Sequence, residues 1–217
     1  YNNLMGLDHF SAIAPIYARV TYSKKELMRD VASLPVQGRL LDVGGGTGRV
    51  STAIREYVDE VIIADVSFGM LARAPRPSLQ PVCGISESLP FANNFFERVI
   101  MVDALHHVAD HAHTAHEMFR VLKPGGVFAV SDVVVTADVS PEIRRSMELW
   151  VGCIAGALHE RDYVQKLVSA GFEQPTVERW RVYHPKDAAA FLGDAGLSDD
   201  AIRSAEGAFA SSFIRAV

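Results

Sequence analysis

The sequence has little cysteine, no long apolar run and no excess of positive charge. Its two cysteines, Cys83 and Cys153, are too few for a disulfide framework or a thiolate zinc site. The longest stretch without Asp, Glu, Lys or Arg is the eleven residues Leu149–His159, whereas a membrane-spanning helix needs about 20 apolar residues. No charged segment followed by an apolar one opens the chain, so no signal peptide is visible. We therefore expect a cytoplasmic enzyme or binding domain.

The charge balance is mildly acidic, with 21 basic against 26 acidic side chains and a formal net charge of −5. Such a protein has no electrostatic reason to bind nucleic acid or anionic lipid. The length of 217 residues suits one domain, and a hydrophobic fraction of 49% excludes a disordered chain. We expect a single domain over residues 1–217 that is a monomer or a homodimer.

Apolar runs alternate with amphipathic segments from Arg39 onward. The predicted strands are Leu40–Val43, Val58–Ala64, Leu79–Cys83, Arg98–Val102, Val127–Val135, Thr176–Tyr183 and a final one within Ala208–Val217. The predicted helices of this part are Gly48–Glu56, Ser67–Ala74, His111–Leu122, Lys186–Gly193 and Asp199–Glu206. Near-continuous apolar runs are typical of strands buried on both faces. The pattern predicts an α/β fold, a doubly wound and mostly parallel sheet with helices on both faces.

Two helices are predicted ahead of the sheet. Apolar residues at helical spacing predict the first over Asp8–Val20, with a kink allowed at Pro15. Ser23, followed three residues later by Glu26, predicts a capping box at the start of the second.

A glycine loop, Gly44-Gly45-Gly46-Thr47-Gly48, directly follows the first predicted strand. Its glycines permit a sharp turn and a close approach of ligand to main chain, and the next helix offers free N–H groups. Asp65 ends the second strand, where a carboxylate can accept both hydroxyls of a ribose. The arrangement predicts a cofactor that contains a nucleoside; a tight turn without a ligand is the alternative.

A nicotinamide dinucleotide fits the loop less well. The dinucleotide pattern G-x-G-x-x-G requires a third glycine at the position that Arg49 occupies, and the Gly-Lys-Ser/Thr end of a P-loop is missing.

Five segments resemble, in order, the motifs of class I S-adenosylmethionine-dependent methyltransferases. They are Leu40–Ser51 (LLDVGGGTGRVS), Asp65–Leu71 (DVSFGML), Glu87–Phe91 (ESLPF), Arg98–Val108 (RVIMVDALHHV) and Phe119–Gly126 (FRVLKPGG). The resemblance is to the small-molecule group that includes menaquinone/ubiquinone-pathway and arsenite methyltransferases. It implies a Rossmann-like, seven-stranded sheet and transfer of a methyl group from S-adenosylmethionine to a small, rather apolar acceptor, which leaves S-adenosylhomocysteine.

The resemblance also implies which residues bind the cofactor. They are Tyr17, Asp42, Gly44, Gly46, Gly48, Asp65, Val66, Met70, Ser86, Glu87 and Asp103. In such enzymes the glycine loop lies beside the methionine part, Asp65 holds the ribose, and Val66 and Met70 contact the adenine. Met70 is alternatively a core residue, and Asp103 orients either the ammonium of the cofactor or the acceptor.

The adenine end departs from the family pattern. The family usually has an acidic residue at the position of Ile85, where it accepts from the adenine amine. Main-chain groups of Ile85 and Ser86 remain available for the adenine edge, and Glu87 is either a partial substitute or a surface cap.

The chain ends are predicted to cover the site. Phe10–Tyr17 (FSAIAPIY) resembles a family segment that folds over the cofactor, although Ala18 replaces its Asp. This divides the chain into a helical lid at 1–36, a cofactor-binding core at 37–135, and substrate-side helices and last strands at 136–217. Within a predicted helix at Pro141–Leu158, Trp150, Cys153 and Ile154 form the acceptor wall; packing on the sheet edge is the alternative.

His106 and His107, at the mouth of the fourth strand, are the candidate general bases. A base accelerates transfer to a hydroxyl or an acidic carbon by typically 10²–10⁴-fold; the alternative for His107 is a packing role. Five histidines fall between His106 and His116, but their spacing is irregular, so we expect no metal.

The acceptor stays open at this point. Arsenite or a quinone precursor is an alternative acceptor, although two cysteines are few for arsenic. A protein that binds S-adenosylmethionine without catalysis is a further alternative.

Overall fold

A computed structural model describes residues 9–138, 157–184 and 206–217. Seven strands form one sheet in the order β3-β2-β1-β4-β5-β7-β6. They are β1 Val36–Val43, β2 Val58–Asp65, β3 Gln80–Cys83, β4 Phe96–Val102, β5 Leu122–Val135, β6 Thr176–Tyr183 and β7 Phe209–Ala216. Neighbouring pairs among β1–β5 are parallel, whereas β7 runs antiparallel to both β5 and β6. The predicted doubly wound, mostly parallel seven-stranded sheet is confirmed.

Six α-helices accompany the described strands. They are α1 His9–Tyr17, α2 Lys25–Val31, α3 Arg49–Ile54, α4 Phe68–Leu71, α5 His111–Val121 and α6 Glu160–Ala170. Short 3₁₀ turns occupy Arg55–Tyr57 and Leu105–His107. The helices predicted at 186–193 and 199–206, and nearly all of the one predicted at 141–158, lie outside the described residues. Each α-helix in the described part of the chain is too short or too polar to span a lipid bilayer.

Both faces of the sheet are buried, which explains the continuous apolar runs. In β4, Val99 and Met101 join one hydrophobic cluster, whereas Ile100 and Val102 join the cluster on the opposite face. Successive side chains of a strand point to opposite faces. A strand covered on both faces therefore needs apolar residues at consecutive positions.

Residues for a site converge at the carboxyl ends of the parallel strands. The strand order reverses between β1 and β4, and open α/β sheets bind ligands in the crevice at such a reversal. The glycine loop follows β1, Asp65 ends β2 and Asp103 follows β4. The N–H groups of Gly44 and Gly45 donate to the Ala64 carbonyl at 2.7 and 3.3 Å, which anchors the loop to β2.

The predicted capping box is wrong. Helix α2 begins at Lys25, and its N-cap residue is Lys24, whose side chain makes no capping hydrogen bond. Glu26 pairs with Arg29 along the helix instead of reaching back to the main chain. The helix start is thus displaced by one residue from the position that the capping box requires.

Leu158, the last residue of the helix predicted to form the acceptor wall, is described, and it packs against the core. It borders the hydrophobic cluster that contains Phe128 and Tyr163. It therefore contributes to the packing of α6 on the sheet.

Candidate active site

A cavity of about 830 Å³ opens at the carboxyl ends of β1, β2 and β4. Ligand pockets occupy roughly 300–1,000 Å³, so this one lies toward the upper end of the range. The cavity brings together most of the residues selected from the sequence: Tyr17, Asp42, Gly44, Gly46, Asp65, Val66, Met70, Ser86, Glu87, Asp103, His106 and His107. Trp150, Cys153 and Ile154 lie outside the described residues.

Gly48 is placed behind the loop, away from the cavity. It has a left-handed φ of 76° and forms the N-cap of α3. A Cβ there would come within 2.5 Å of Leu79 Cδ1. The structure thus gives Gly48 a role in turning the chain.

Gly46 and Asp65 are linked directly. The Gly46 N–H donates to one Asp65 carboxylate oxygen at 2.9 Å, and the Ser67 N–H donates to the other at 2.8 Å. Gly46 has a φ of 56°, and a Cβ there would have its nearest neighbours, Asp65 Oδ2 and Met70 Sδ, at 3.9 Å. Asp65 therefore fixes both the glycine loop and the start of α4.

Asp42 lies buried beneath the loop, with 1% of its surface exposed. Burial raises the pKa of its carboxyl group to about 7, although the Ser51 hydroxyl, which donates to Asp42 at 2.7 Å, opposes the rise. Asp42 is therefore largely protonated below neutral pH, and it supports the loop from below.

The side of the cavity that the sequence predicts for the adenine is apolar and open. Val66 is 63% exposed and Ile85 is 51% exposed, and both line the cavity. Met70 is buried beneath Gly46.

Glu87 caps the loop that follows β4. Its carboxylate accepts from the Ala109 and Asp110 N–H groups at 2.9 and 3.3 Å and from the Ser86 hydroxyl at 3.0 Å. Partial burial opposes the effect, but these hydrogen bonds lower the pKa of Glu87. The carboxylate thus has a structural role in holding that loop.

Arg49 and Asp103 form an ion pair on the cavity wall. The Arg49 Nη2–Asp103 Oδ2 distance is 3.2 Å, and the guanidinium lies about 6 Å from the ring centroids of Tyr17 (6.0 Å) and Tyr22 (5.8 Å). Asp103 has a φ of 52°, a conformation that is uncommon outside glycine but that Asp tolerates better than most residues. A cation and an anion therefore face the cavity side by side.

His106 forms a buried pair with Asp132. The Nδ1 atom of His106 lies 2.7 Å from Asp132 Oδ1, and its main-chain N–H donates to the other carboxylate oxygen at 3.2 Å. The sequence reasoning missed Asp132, although it is the single charged residue in the apolar run Val127–Val135. His107 is exposed, and its ring meets Phe10 of α1 edge to face with centroids 5.4 Å apart.

Helix α1 packs on the start of α4 beside the cavity. The Gly69 N–H donates to Ser11 Oγ at 3.1 Å, and the Ser11 and Ser67 hydroxyls lie 3.3 Å apart. A Cβ at Gly69 would come within 2.0 Å of Ser11 Oγ, so only glycine permits this contact. Phe10 and Tyr17 of α1 both line the cavity.

The opposite end of the cavity has residues that the sequence reasoning did not select. They are Lys24, Arg49, Val133, Trp180, Arg181, Tyr183 and Ser211. Within the described residues, no group of three or more His, Cys, Asp or Glu side chains is arranged to hold a metal ion.

Comparison with known proteins identifies the core of this architecture. Residues 41–130 match the family model described as a methyltransferase domain. The chain contains a class I S-adenosylmethionine-dependent methyltransferase domain. The matched residues of this methyltransferase domain include the glycine loop, Asp65, Asp103 and the His106–His107 pair.

Named relatives and a solved structure agree with this. The chain is 36% identical over 104 residues to a demethylmenaquinone methyltransferase of Renibacterium salmoninarum, covering 47% of this chain and 44% of the relative. It is 31% identical over 135 residues to the ubiquinone/menaquinone biosynthesis C-methyltransferase UbiE of Coxiella burnetii, covering 50% and 54%. The chain thus spans about half the length of these relatives. A putative methyltransferase of Bacillus halodurans has the same fold, with a TM-score of 0.69, 19% identity, and coverage of 90% of this chain and 98% of that one.

Proposed function

We propose that this protein transfers a methyl group from S-adenosylmethionine to a small-molecule acceptor by in-line displacement. The observation that carries the proposal is the cavity at the sheet reversal, where the glycine loop and Asp65 face one end and His106 and Asp103 lie beside it. The sulfonium of the cofactor already holds a good leaving group. Alignment of acceptor and cofactor then supplies roughly 7–11 kcal/mol of the barrier reduction.

The carboxyl ends of β1, β2 and β4 would hold the cofactor. Val66 and Ile85 would contact its adenine, and the carboxylate of Asp65 would accept from its ribose hydroxyls. The Arg49–Asp103 pair faces the amino-acid end, because an amino acid carries one carboxylate and one ammonium group that match this cation and anion. Helix α1 covers the cavity and excludes water, as lids do.

His106 is the general base where the acceptor must lose a proton. An ionised Asp132 carboxylate only accepts hydrogen bonds, so Nδ1 of His106 carries the proton of this pair and Nε2 is the basic nitrogen. Asp132→Asn would disturb that tautomer, and we expect a fall in kcat of at least tenfold with KM for the cofactor unchanged. An unchanged kcat and pH profile would remove His106 from the chemistry.

A quinone precursor is the more specific candidate for the acceptor, because the names of both relatives describe methyltransferases of quinone biosynthesis. It would be methylated at carbon. Arsenite is less favoured because the sequence has two cysteines, and the Sγ atom of one of them, Cys83, lies 3.7 Å from the Val66 carbonyl oxygen, on the side proposed for the adenine.

Calorimetry with S-adenosylmethionine and S-adenosylhomocysteine tests the proposal, followed by assay of S-adenosylhomocysteine release with candidate acceptors. The expected result is binding of both cofactor forms, and release that depends on an acceptor. A folded protein that binds neither form would refute the proposal. Binding of both with no release for any acceptor would instead favour a protein that binds the cofactor without catalysis.

A further inference from the structure

The end of the cavity away from the adenine side is rich in positive charge, although the whole chain is acidic. Lys24, Arg49 and Arg181 all line the cavity at this end. Asp103 is the carboxylate near them, and Arg49 already pairs with it. Across the described residues, neither Lys24 nor Arg181 forms an ion pair.

Lys24 is held in place by an aromatic ring. Its Nζ atom lies 3.8 Å from the ring centroid of Trp180, and the same indole packs on Phe213 with centroids 6.2 Å apart. A cation over a Trp face gains about 0.5–2 kcal/mol. Trp180 therefore fixes the Lys24 ammonium at the cavity wall. Because the Lys24 side chain is already ordered, it loses less conformational entropy when a ligand binds.

An irregularity in β6 brings Trp180 and Arg181 to the same cavity. Arg179 pairs with Ser212 and Arg181 pairs with the adjacent Ser211, so Trp180 is an extra residue in the ladder. In a regular strand, consecutive side chains point to opposite faces. Such bulges are frequent beside active sites because they redirect side chains.

The charges around Lys24 favour the binding of an anion. Burial lowers the pKa of Lys24, and the positive charges of Arg49 and Arg181 lower it further, while Asp103 opposes them. A bound anion would offset the repulsion among these cations. Hydroxyl donors are adjacent, because the Tyr183 and Ser211 oxygens lie 2.9 Å apart on the same wall.

We propose that the acceptor carries an anionic group, a carboxylate or a phosphate, beside its apolar body, and that Lys24 and Arg181 bind that group. This inference rests on the proposed function, since it concerns the acceptor of the same site. The anion also orients the acceptor, because its attachment at this wall directs the rest of the molecule toward His106 and the methyl group.

Three probes of one shape test the inference by calorimetry on protein saturated with S-adenosylhomocysteine: 2-naphthoate, 2-naphthyl phosphate and the neutral 2-naphthamide. We expect at least one anionic probe to bind tenfold or more tightly than 2-naphthamide. The stronger of the two anions identifies carboxylate or phosphate as the preferred group. The Lys24→Met/Arg181→Met double variant should reduce this preference to less than twofold while its affinity for S-adenosylhomocysteine stays within twofold of the parent.

Neighbouring residues provide the matched control. Lys25 pairs with Glu56, and Arg179 pairs with Glu160, so neither side chain is directed to the cavity. The Lys25→Met/Arg179→Met variant removes the same charge and should keep the preference. Equal affinity for charged and neutral probes, an unchanged preference in the Lys24/Arg181 variant, or no anion binding at millimolar concentration would overturn the inference and leave the proposed function standing. Failure to bind S-adenosylhomocysteine would overturn both.

Discussion

Asp42 makes the stability of the fold depend on pH. Its carboxyl group has a pKa of about 7 in the buried site, against an ordinary value of 3.8. Each pKa unit corresponds to 1.36 kcal/mol, so the ionised group costs at most about 4 kcal/mol of folding free energy at pH 8. The native state binds this proton more tightly than the unfolded chain. The contribution of Asp42 to the free energy of unfolding is therefore highest below about pH 4, falls as the pH rises toward about 7, and levels off above that.

The variant Asp42→Asn removes the charge and keeps the shape. The Asn oxygen can still accept from the Ser51 hydroxyl, as the carboxylate does at 2.7 Å. A buried amide N–H group without an acceptor costs about 1–3 kcal/mol, which offsets part of the gain. We expect Asp42→Asn to be more stable than the parent by about 1–3 kcal/mol at pH 8, and less stable than the parent at pH 4.

Urea unfolding at pH 4, 5, 6, 7 and 8 measures the effect, because a changed midpoint at constant m-value reports stability alone. Subtracting the parent from the variant at each pH cancels the titration of the other groups. The matched control is Ser51→Ala: it removes a hydrogen bond that lowers the Asp42 pKa, so it should extend the loss of stability to higher pH. Parallel curves for parent and Asp42→Asn across this range would refute the reasoning.

Substitutions at three further positions test the cofactor end. Asp65→Ala should weaken S-adenosylhomocysteine binding at least tenfold in calorimetry, because hydrogen bonds to a charged acceptor contribute about 1.5–3 kcal/mol; unchanged affinity would place the ribose elsewhere. Gly46→Val should abolish binding while circular dichroism shows a folded protein, since its side chain would enter the cavity and its φ of 56° disfavours a branched residue. Normal binding by this variant would mean that the loop does not face the ligand. Ile85→Asp should strengthen binding severalfold by offering an acceptor to the adenine amine, with Ile85→Asn as the uncharged comparison; weaker binding by both would contradict the adenine placement.

The central sheet was predictable from sequence because its signals are local. In the buried stretches of β1, β2 and β4, consecutive apolar side chains pack against alternate faces of the sheet, so the requirement for apolar residues falls on consecutive positions. The glycine loop was equally visible, because its backbone conformations at Gly44 and Gly46 have positive φ values that favour glycine.

Other features depend on partners that are distant in the chain. The bulge at Trp180 is defined by its register with Ser211 and Ser212, and no local pattern in Thr176–Tyr183 encodes that register. Glu87 matched a family motif, but its carboxylate is held by N–H groups 22 and 23 residues later in the sequence. The capping box failed because α2 begins at Lys25 and not directly after Ser23, so Glu26 is the second helical residue, where a capping box needs the third.

The two ends of the cavity come from different parts of the chain, and this has a consequence for how acceptor preference can change. The glycine loop, Asp65 and His106 all fall within residues 41–130, whereas Lys24, Trp180, Arg181 and Ser211 lie outside that stretch. Substitutions at these outer positions can alter which molecule is accepted without touching the groups that face the cofactor. Grafting the outer segments of one such protein onto the central stretch of another is therefore a practical way to change the acceptor of a methyltransferase while its affinity for the cofactor stays the same.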